Sequence, residues 1–365
     1  MKIKILFISQ YLNVAGTEAF MMNVLRKINK TRFHIDFLIF SEEESNYSNE
    51  VEKSGSIIYR LPNRRSGFKY YKQLNLFFME KSNEYQVFHF CGGNVSSIAP
   101  LYYAYKHNIP IRIVHSHSSS CEGFHNILLH YFNRLFIPKF CTHLFACSSK
   151  AAKFFFGKRK AEIIKNGINV NSYIFNRQER EQFRNELGIS TPTKVVGHIG
   201  RFEEVKNHSF IIDVFKKFNE LNPDSALILV GIGSLFEDIR KKVEHWGLSN
   251  NVHFLGERTD IPKILSAMDC FLMPSIYEGL PFVLIEAQAS GLPCVISNTI
   301  NKDAKITPYL HYCELNSDVT KWVNTIENAL SFENRENATQ YIEKAGFNIN
   351  ETIKFLETTY SNYDS

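Results

Sequence analysis

The sequence predicts an α/β protein of two doubly wound, Rossmann-like domains with parallel sheets. Three observations predict it. Short β-rich apolar runs alternate with amphipathic stretches along the whole chain. The alternation restarts after a polar, helical stretch near residues 175–190. A length of 365 residues exceeds one ordinary core and suits two α/β domains.

In the first series, strands are expected at 3–9, 34–40, 57–61, 87–90, 111–114 and 143–147. In the second they are expected at 194–199, 226–230, 252–255, 270–273 and 294–297. Near-continuous apolar composition suits strands covered on both faces. The expected boundaries are 1–175 and 176–348. A last helix, about 349–365, carries Ile349, Ile353, Leu356 and Tyr360 at one-face spacing, and is expected to pack back on the first domain.

Hydrophobic content of 44% and charged content of 22% are those of a globular chain. No run approaches the roughly 18–20 apolar residues that span a bilayer. The apolar start at residues 3–9 is too short for a signal peptide and reads as a buried strand. Seven cysteines, none in a CxxC pair, mostly sit in apolar surroundings, as in Pro293-Cys294-Val295-Ile296. Reduced thiols in a cytoplasmic protein are expected, without a disulfide frame or zinc site. The net charge of +5 is unevenly divided. Residues 1–175 hold 23 Lys/Arg against 11 Asp/Glu, and the remainder holds 19 against 26. The first half is therefore expected to meet an anionic surface or substrate.

The most informative segment runs Pro274-Ser275-Ile276-Tyr277-Glu278-Gly279-Leu280-Pro281-Phe282-Val283-Leu284-Ile285-Glu286-Ala287. A buried strand ends, a short loop follows, and Pro281 stands where the first helical residue is expected. Ligands of open α/β sheets bind outside the carboxyl ends of strands, and free amides at a helix start attract phosphate. Glu278 lies on that loop. Glu286 lies on the helix, ~7.5 Å beyond Pro281 at 1.5 Å per residue. Spacing alone serves equally for two solvated glutamates beside an ordinary helix. A second strand end, Gly200-Arg201-Phe202-Glu203-Glu204-Val205-Lys206, offers Arg201 and Lys206 as a cationic pair able to neutralise a diphosphate without metal. A surface Arg and Lys in a polar loop is the plainer alternative. Ala15-Gly16-Thr17-Glu18 follows the first strand, where Gly16 permits close backbone approach to a phosphate or sugar.

On these residues the chain resembles the retaining family-four glycosyltransferases of the GT-B fold, in their capsule and exopolysaccharide branch, which implies two Rossmann-like domains with parallel sheets facing a central cleft. Glu278 and Glu286 match that family's paired glutamates, Gly200, Arg201 and Lys206 its Gly-Arg-x-x-x-x-Lys element, and Gly16, Thr17 and Glu18 its donor loop. Asn166-Gly167-Ile168 and Val230-Gly231-Ile232-Gly233-Ser234-Leu235 fall at two further family positions. Ala15, Ile232 and Asn169 depart from the usual pattern, and none is a proposed catalytic group. The resemblance implies that Glu286 holds the ribose, Arg201 and Lys206 the diphosphate, and Glu278 the donor sugar. It places Gly279 and the Leu280, Phe282 and Val283 amides beside sugar or phosphate, and Arg258 near the base. His117 matches the cleft histidine at the reacting sugar, although a satisfied histidine at a strand end is the bland alternative in a chain with 13.

The implied reaction is retaining, hexosyltransferase-type transfer from a nucleoside diphosphate sugar, UDP-linked by expectation, to a hydroxyl of a lipid-linked glycan in capsule, exopolysaccharide or O-antigen synthesis. The rival within the same fold is a sugar-nucleotide 2-epimerase. No cofactor is expected beyond the donor co-substrate. The absence of an Asp-x-Asp motif leads us to expect no metal. Residues 64–72 and 153–160 interleave basic and aromatic side chains, which suits the anionic inner face of a cell membrane. A solvated basic face with the aromatics turned into the core is the alternative. No nucleic-acid module accompanies the charge.

Overall fold

The computed structural model describes residues 2–12, 16–42, 45, 47–118, 120–121, 123–278, 280–332, 335 and 337–362. The chain divides into two compact units, Met1–Gly167 with Ile349–Ser365, and Ile168–Asn348.

The first unit holds a seven-stranded sheet. Its strands are β1 (Ile3–Ser9), β2 (Phe33–Ile39), β3 (Ile58–Arg60), β4 (Val87–Gly92), β5 (Ile111–Ser116), β6 (His143–Ala146) and β7 (Glu162–Ile163). They lie in the order β3-β2-β1-β4-β5-β6-β7, every pair parallel. Central strands are buried on both faces: Ile5, Leu6, Phe7 and Ile8 expose nothing. That is why the apolar run, without alternation, marked a strand. The helix Ile349–Ser361 buries Ile349, Ile353, Leu356 and Tyr360 within this unit, packing beside the helix Gly16–Lys27.

The second unit holds six parallel strands: β8 (Lys194–Ile199), β9 (Ser225–Val230), β10 (Val252–Phe254), β11 (Cys270–Met273), β12 (Cys294–Ser297) and β13 (Leu310–Cys313). Their order is β10-β9-β8-β11-β12-β13. One face packs on Ile211, Phe215, Phe218 and Trp322, the other on Ile264, Leu265, Leu284 and Ala287. Asp269, just before β11, accepts from Arg180 at 2.5 Å and Arg184 at 2.7 Å, both on the helix Arg177–Glu186. Arg335 donates to the carbonyls of Leu265, Met268 and Ser290 in the same region. Burial, and the nearby Arg180 charge, depress its guanidinium to about 9.

The structure corrects the sequence expectation in three places. It adds β7 and β13 to the strand series. β7 is two exposed residues on a sheet edge, and β13 interrupts its apolar ends with His311 and Tyr312. The second unit begins at Ile168 rather than 176, because Ile168 and Val170 pack with Ile285, Ala289, Ile342 and Phe347. Pro281 is the N-cap of the helix Phe282–Ala289, not its first residue: its ψ of 129° is still extended.

Candidate functional site

Three segments meet at the carboxyl ends of β8, β9 and β11, within the second unit. Gly200 N–H donates to the Val230 carbonyl and Phe202 N–H to that of Ile232, each at 2.9 Å. Gly231 sits at φ 137°, and a Cβ there would strike the Gly200 carbonyl. A Cβ on Gly233 would strike the Phe202 backbone. Those two glycines are thus required by chain against chain. Beyond β8, the turn Glu204–Lys206 ends at Asn207 in the left-handed region. Asn207 Nδ2 reaches the Pro274 carbonyl at 3.2 Å, and Ile276 N–H donates to that of Val205 at 2.8 Å.

This lashing carries Lys206 to the loop after β11, where its Nζ donates to Glu278 Oε1 in an ion pair. The two side chains are only 17% and 16% exposed, so the pair is largely withdrawn from water. The Lys206 stem runs past Gly200, where a Cβ would press on Lys206 Cδ and Cε at 3.3 and 3.4 Å. Arg201, on the same strand end, is exposed and in no ion pair among the described residues. The sequence named all three charged groups, and the fold brings Lys206 and Glu278 into contact.

The helix Phe282–Ala289 starts behind this loop with no side-chain cap. Leu284 N–H closes on the Pro281 carbonyl at 3.1 Å, and the amides of Phe282 and Val283 precede any carbonyl that the helix itself offers. Leu280, Phe282 and Val283 half-bury their side chains against the core. Gly279 lies outside the described residues, as does Ala15. Glu286, one and a half turns along, accepts from the Tyr173 hydroxyl at 2.6 Å. Burial raises its carboxyl above the usual range, and the Tyr173 hydrogen bond partly offsets that. Tyr173 was missed by sequence reasoning: a tyrosine in a polar stretch gives no signal. Ser275 was missed too, fully buried with no partner for its Oγ among the described residues. Its carbonyl accepts from Ser297 Oγ at 2.6 Å and Thr299 Oγ1 at 2.8 Å. Arg258, in the loop after β10, is held by both oxygens of Asp260, at 2.8 and 2.6 Å.

The remaining candidates belong to the first unit. Gly16 and Thr17 open the helix Gly16–Lys27. Glu18 is buried and accepts from Ser9 Oγ at 3.1 Å. His117 follows β5, its ring centroid 4.1 Å from His115 and 4.9 Å from Phe20. Burial lowers its pKa to about 3, opposed by its interaction with the Asn166 side chain.

The two basic-aromatic segments fare differently. In 153–160, Phe155 and Phe156 are buried in the core and Phe154 is half-buried against it, so that stretch presents Lys153, Lys158, Arg159 and Lys160. In 64–72, Phe68 is 81% exposed and Tyr71 44%, while Tyr70 is buried. A further apolar surface, unread in the sequence, is the helix Phe124–Asn133 with Phe124, Leu128 and Phe132 exposed. Arg64 ties the two together, donating to Asn126 Oδ1 at 2.8 Å. No helix among the described residues is long and apolar enough to cross a membrane.

Comparison with known proteins supplies the context for this geometry. Residues 179–346 match the family described as Glycosyl transferases group 1. EpsF of Bacillus subtilis (strain 168), which bears a glycosyltransferase name, is 29% identical over 98% of this chain and 96% of its own. The capsular polysaccharide biosynthesis glycosyltransferase CapH of Staphylococcus aureus is 25% identical over 98% of each. Among solved structures, Anabaena HepE in complex with UDP and glucose superposes with a TM-score of 0.76 at 19% identity, covering 99% of this chain and 100% of that one. Residues 179–346 are a glycosyltransferase group 1 domain, carried by a chain with the two parallel-sheet units of the GT-B fold.

Proposed function

We propose that this glycosyltransferase moves a hexose from a nucleoside diphosphate sugar, UDP-linked, to a hydroxyl of a lipid-linked glycan, with retention and in the synthesis of a capsule, exopolysaccharide or O-antigen. The observation that carries the reading is the Lys206–Glu278 pair. It stands at the carboxyl ends of β8 and β11, before the uncapped start of the helix Phe282–Ala289. An ammonium has three donors, so Lys206 can keep Glu278 and still meet a phosphate oxygen. Arg201 adds a second cation, and the amides of Leu280, Phe282 and Val283 add dipoles. Together they oppose the charge that grows on the departing diphosphate. Glu278 is assigned to the donor sugar, His117 to the reacting centre, Gly16 and Thr17 to the donor loop, and Arg258 to the neighbourhood of the base. The name of CapH supports capsule synthesis, and that of an Escherichia coli relative, a UDP-Gal galactosyltransferase acting on a diphosphoundecaprenol acceptor and 34% identical over 38% of this chain, supports the donor and acceptor classes.

The experiment is a coupled assay for nucleoside diphosphate. Release that depends on added lipid-linked glycan supports transfer. An epimerised sugar nucleotide formed without acceptor contradicts it.

Glu286 is assigned to the ribose hydroxyls. Hydrogen bonds to a charged group are worth about 1.5–3 kcal/mol. Glu286→Ala is therefore expected to raise the donor KM by about tenfold or more at 1.4 kcal/mol per decade, measured by initial rates against donor concentration. Unchanged KM places the ribose elsewhere.

Since Lys206 and Arg201 supply the positive charge, no divalent ion is needed for transfer. Initial rates in chelator should equal those without it; loss of activity restored by manganese would count against the reading. The exposed Phe68, Tyr71, Phe124, Leu128 and Phe132, beside Arg64, Arg65 and Lys69, are assigned to an anionic membrane surface. Flotation with anionic but not neutral liposomes is expected, and equal flotation with both removes the assignment.

A further inference from the structure

We propose that His89, Cys91 and His115 form a binding site for one zinc-class cation in the core of the first unit. His89 and Cys91 are two apart on β4, so both face the same side of the sheet. Register pairs Cys91 with His115 on the adjacent β5. All three are fully buried, and one ligand atom from each lies within 4.8 Å of the others.

The spacing also suits coordination. His89 Nε2 and His115 Nδ1 are 3.3 Å apart, a long hydrogen bond between the rings. Two nitrogens at ~2.0–2.1 Å from a tetrahedral ion stand roughly 3.3–3.4 Å apart. One of the two imidazoles also has its outer nitrogen held. His89 Nδ1 is 2.7 Å from the Tyr360 hydroxyl, which orients the ring and leaves Nε2 toward the cluster. On His115 the other nitrogen, Nε2, is buried without a partner.

A divalent ion would displace the Cys91 proton to solvent and be held by a thiolate and two neutral imidazoles. Two imidazoles and a thiolate select a borderline-soft ion over magnesium or calcium. Such a site is structural: it would fix the ends of β4 and β5, two residues before His117, and no step of sugar transfer runs through it.

The full-length chain, stripped of metal and given one equivalent of cobalt(II), tests this. A thiolate-to-cobalt charge-transfer band in the near ultraviolet, intense tetrahedral visible bands and one ion per chain by native mass spectrometry are expected. The band should vanish in Cys91→Ser and persist in Cys121→Ser. Zinc should also raise the wild-type melting temperature, since an ion bound only by the native state stabilises it. No charge-transfer band in the wild type overturns the proposal, whatever the variants do, and so does a band that survives in a folded Cys91→Ser.

Discussion

Lys206→Ala is expected to lower kcat by about 10²–10³-fold, the usual cost of removing one group that stabilises charge in the transition state. Its donor KM should change less, because the charge Lys206 meets is larger on the departing diphosphate than on the bound donor. The substitution also leaves Glu278, only 16% exposed, without its cation. Lys206→Arg separates the two effects. It restores a positive charge beside Glu278 but presents a planar fork in place of a compact ammonium. Recovery of part of kcat by arginine supports a charge role. An unchanged kcat in Lys206→Ala means the diphosphate lies elsewhere.

Asp269→Asn is expected to destabilise the second unit by about 3–5 kcal/mol, the cost of breaking a buried pair by removing one partner. Asp269 accepts from Arg180, Arg184 and the Val195 N–H, at 2.5, 2.7 and 2.8 Å. Arg184 is 2% exposed, and burial lowers its guanidinium pKa, with the Asp269 charge working the other way. Asparagine keeps the volume and removes the negative charge that pairs with these arginines. Urea unfolding followed by tryptophan fluorescence, which comes from the fully buried Trp322 and the exposed Trp246 of this unit, reads the shift in midpoint. A midpoint unmoved from wild type would show that carbonyl acceptors alone satisfy the arginines.

Much of the fold was legible because parallel sheets write themselves as apolar runs. β1, β8, β11 and β12 fall on their expected residues, each with both faces covered. β7 and β13 escaped for the opposite reason, since edge position leaves their side chains partly in water. The start of the second unit was misplaced because Ile168 and Val170 read as linker until Phe347 closes over them from the far end of the unit. In the site, charge type and strand-end position offered Lys206, Glu278 and Glu286 as candidates, and the family resemblance singled them out. Tyr173, Ser275 and the His89–Cys91–His115 cluster were invisible because each depends on neighbours distant in sequence. Cys91 read as one more inert thiol. Only β4 pairing with β5 sets it beside His115.

The central claim is a pyrophosphate bound by the cationic rim of the second unit. Calorimetric titration of uridine diphosphate and uridine monophosphate into wild type and Lys206→Ala tests it most directly. The diphosphate should bind wild type more than about tenfold tighter, 1.4 kcal/mol or more, and lose most of that advantage in the variant. Equal affinity for both nucleotides, or an advantage that survives without Lys206, would contradict it.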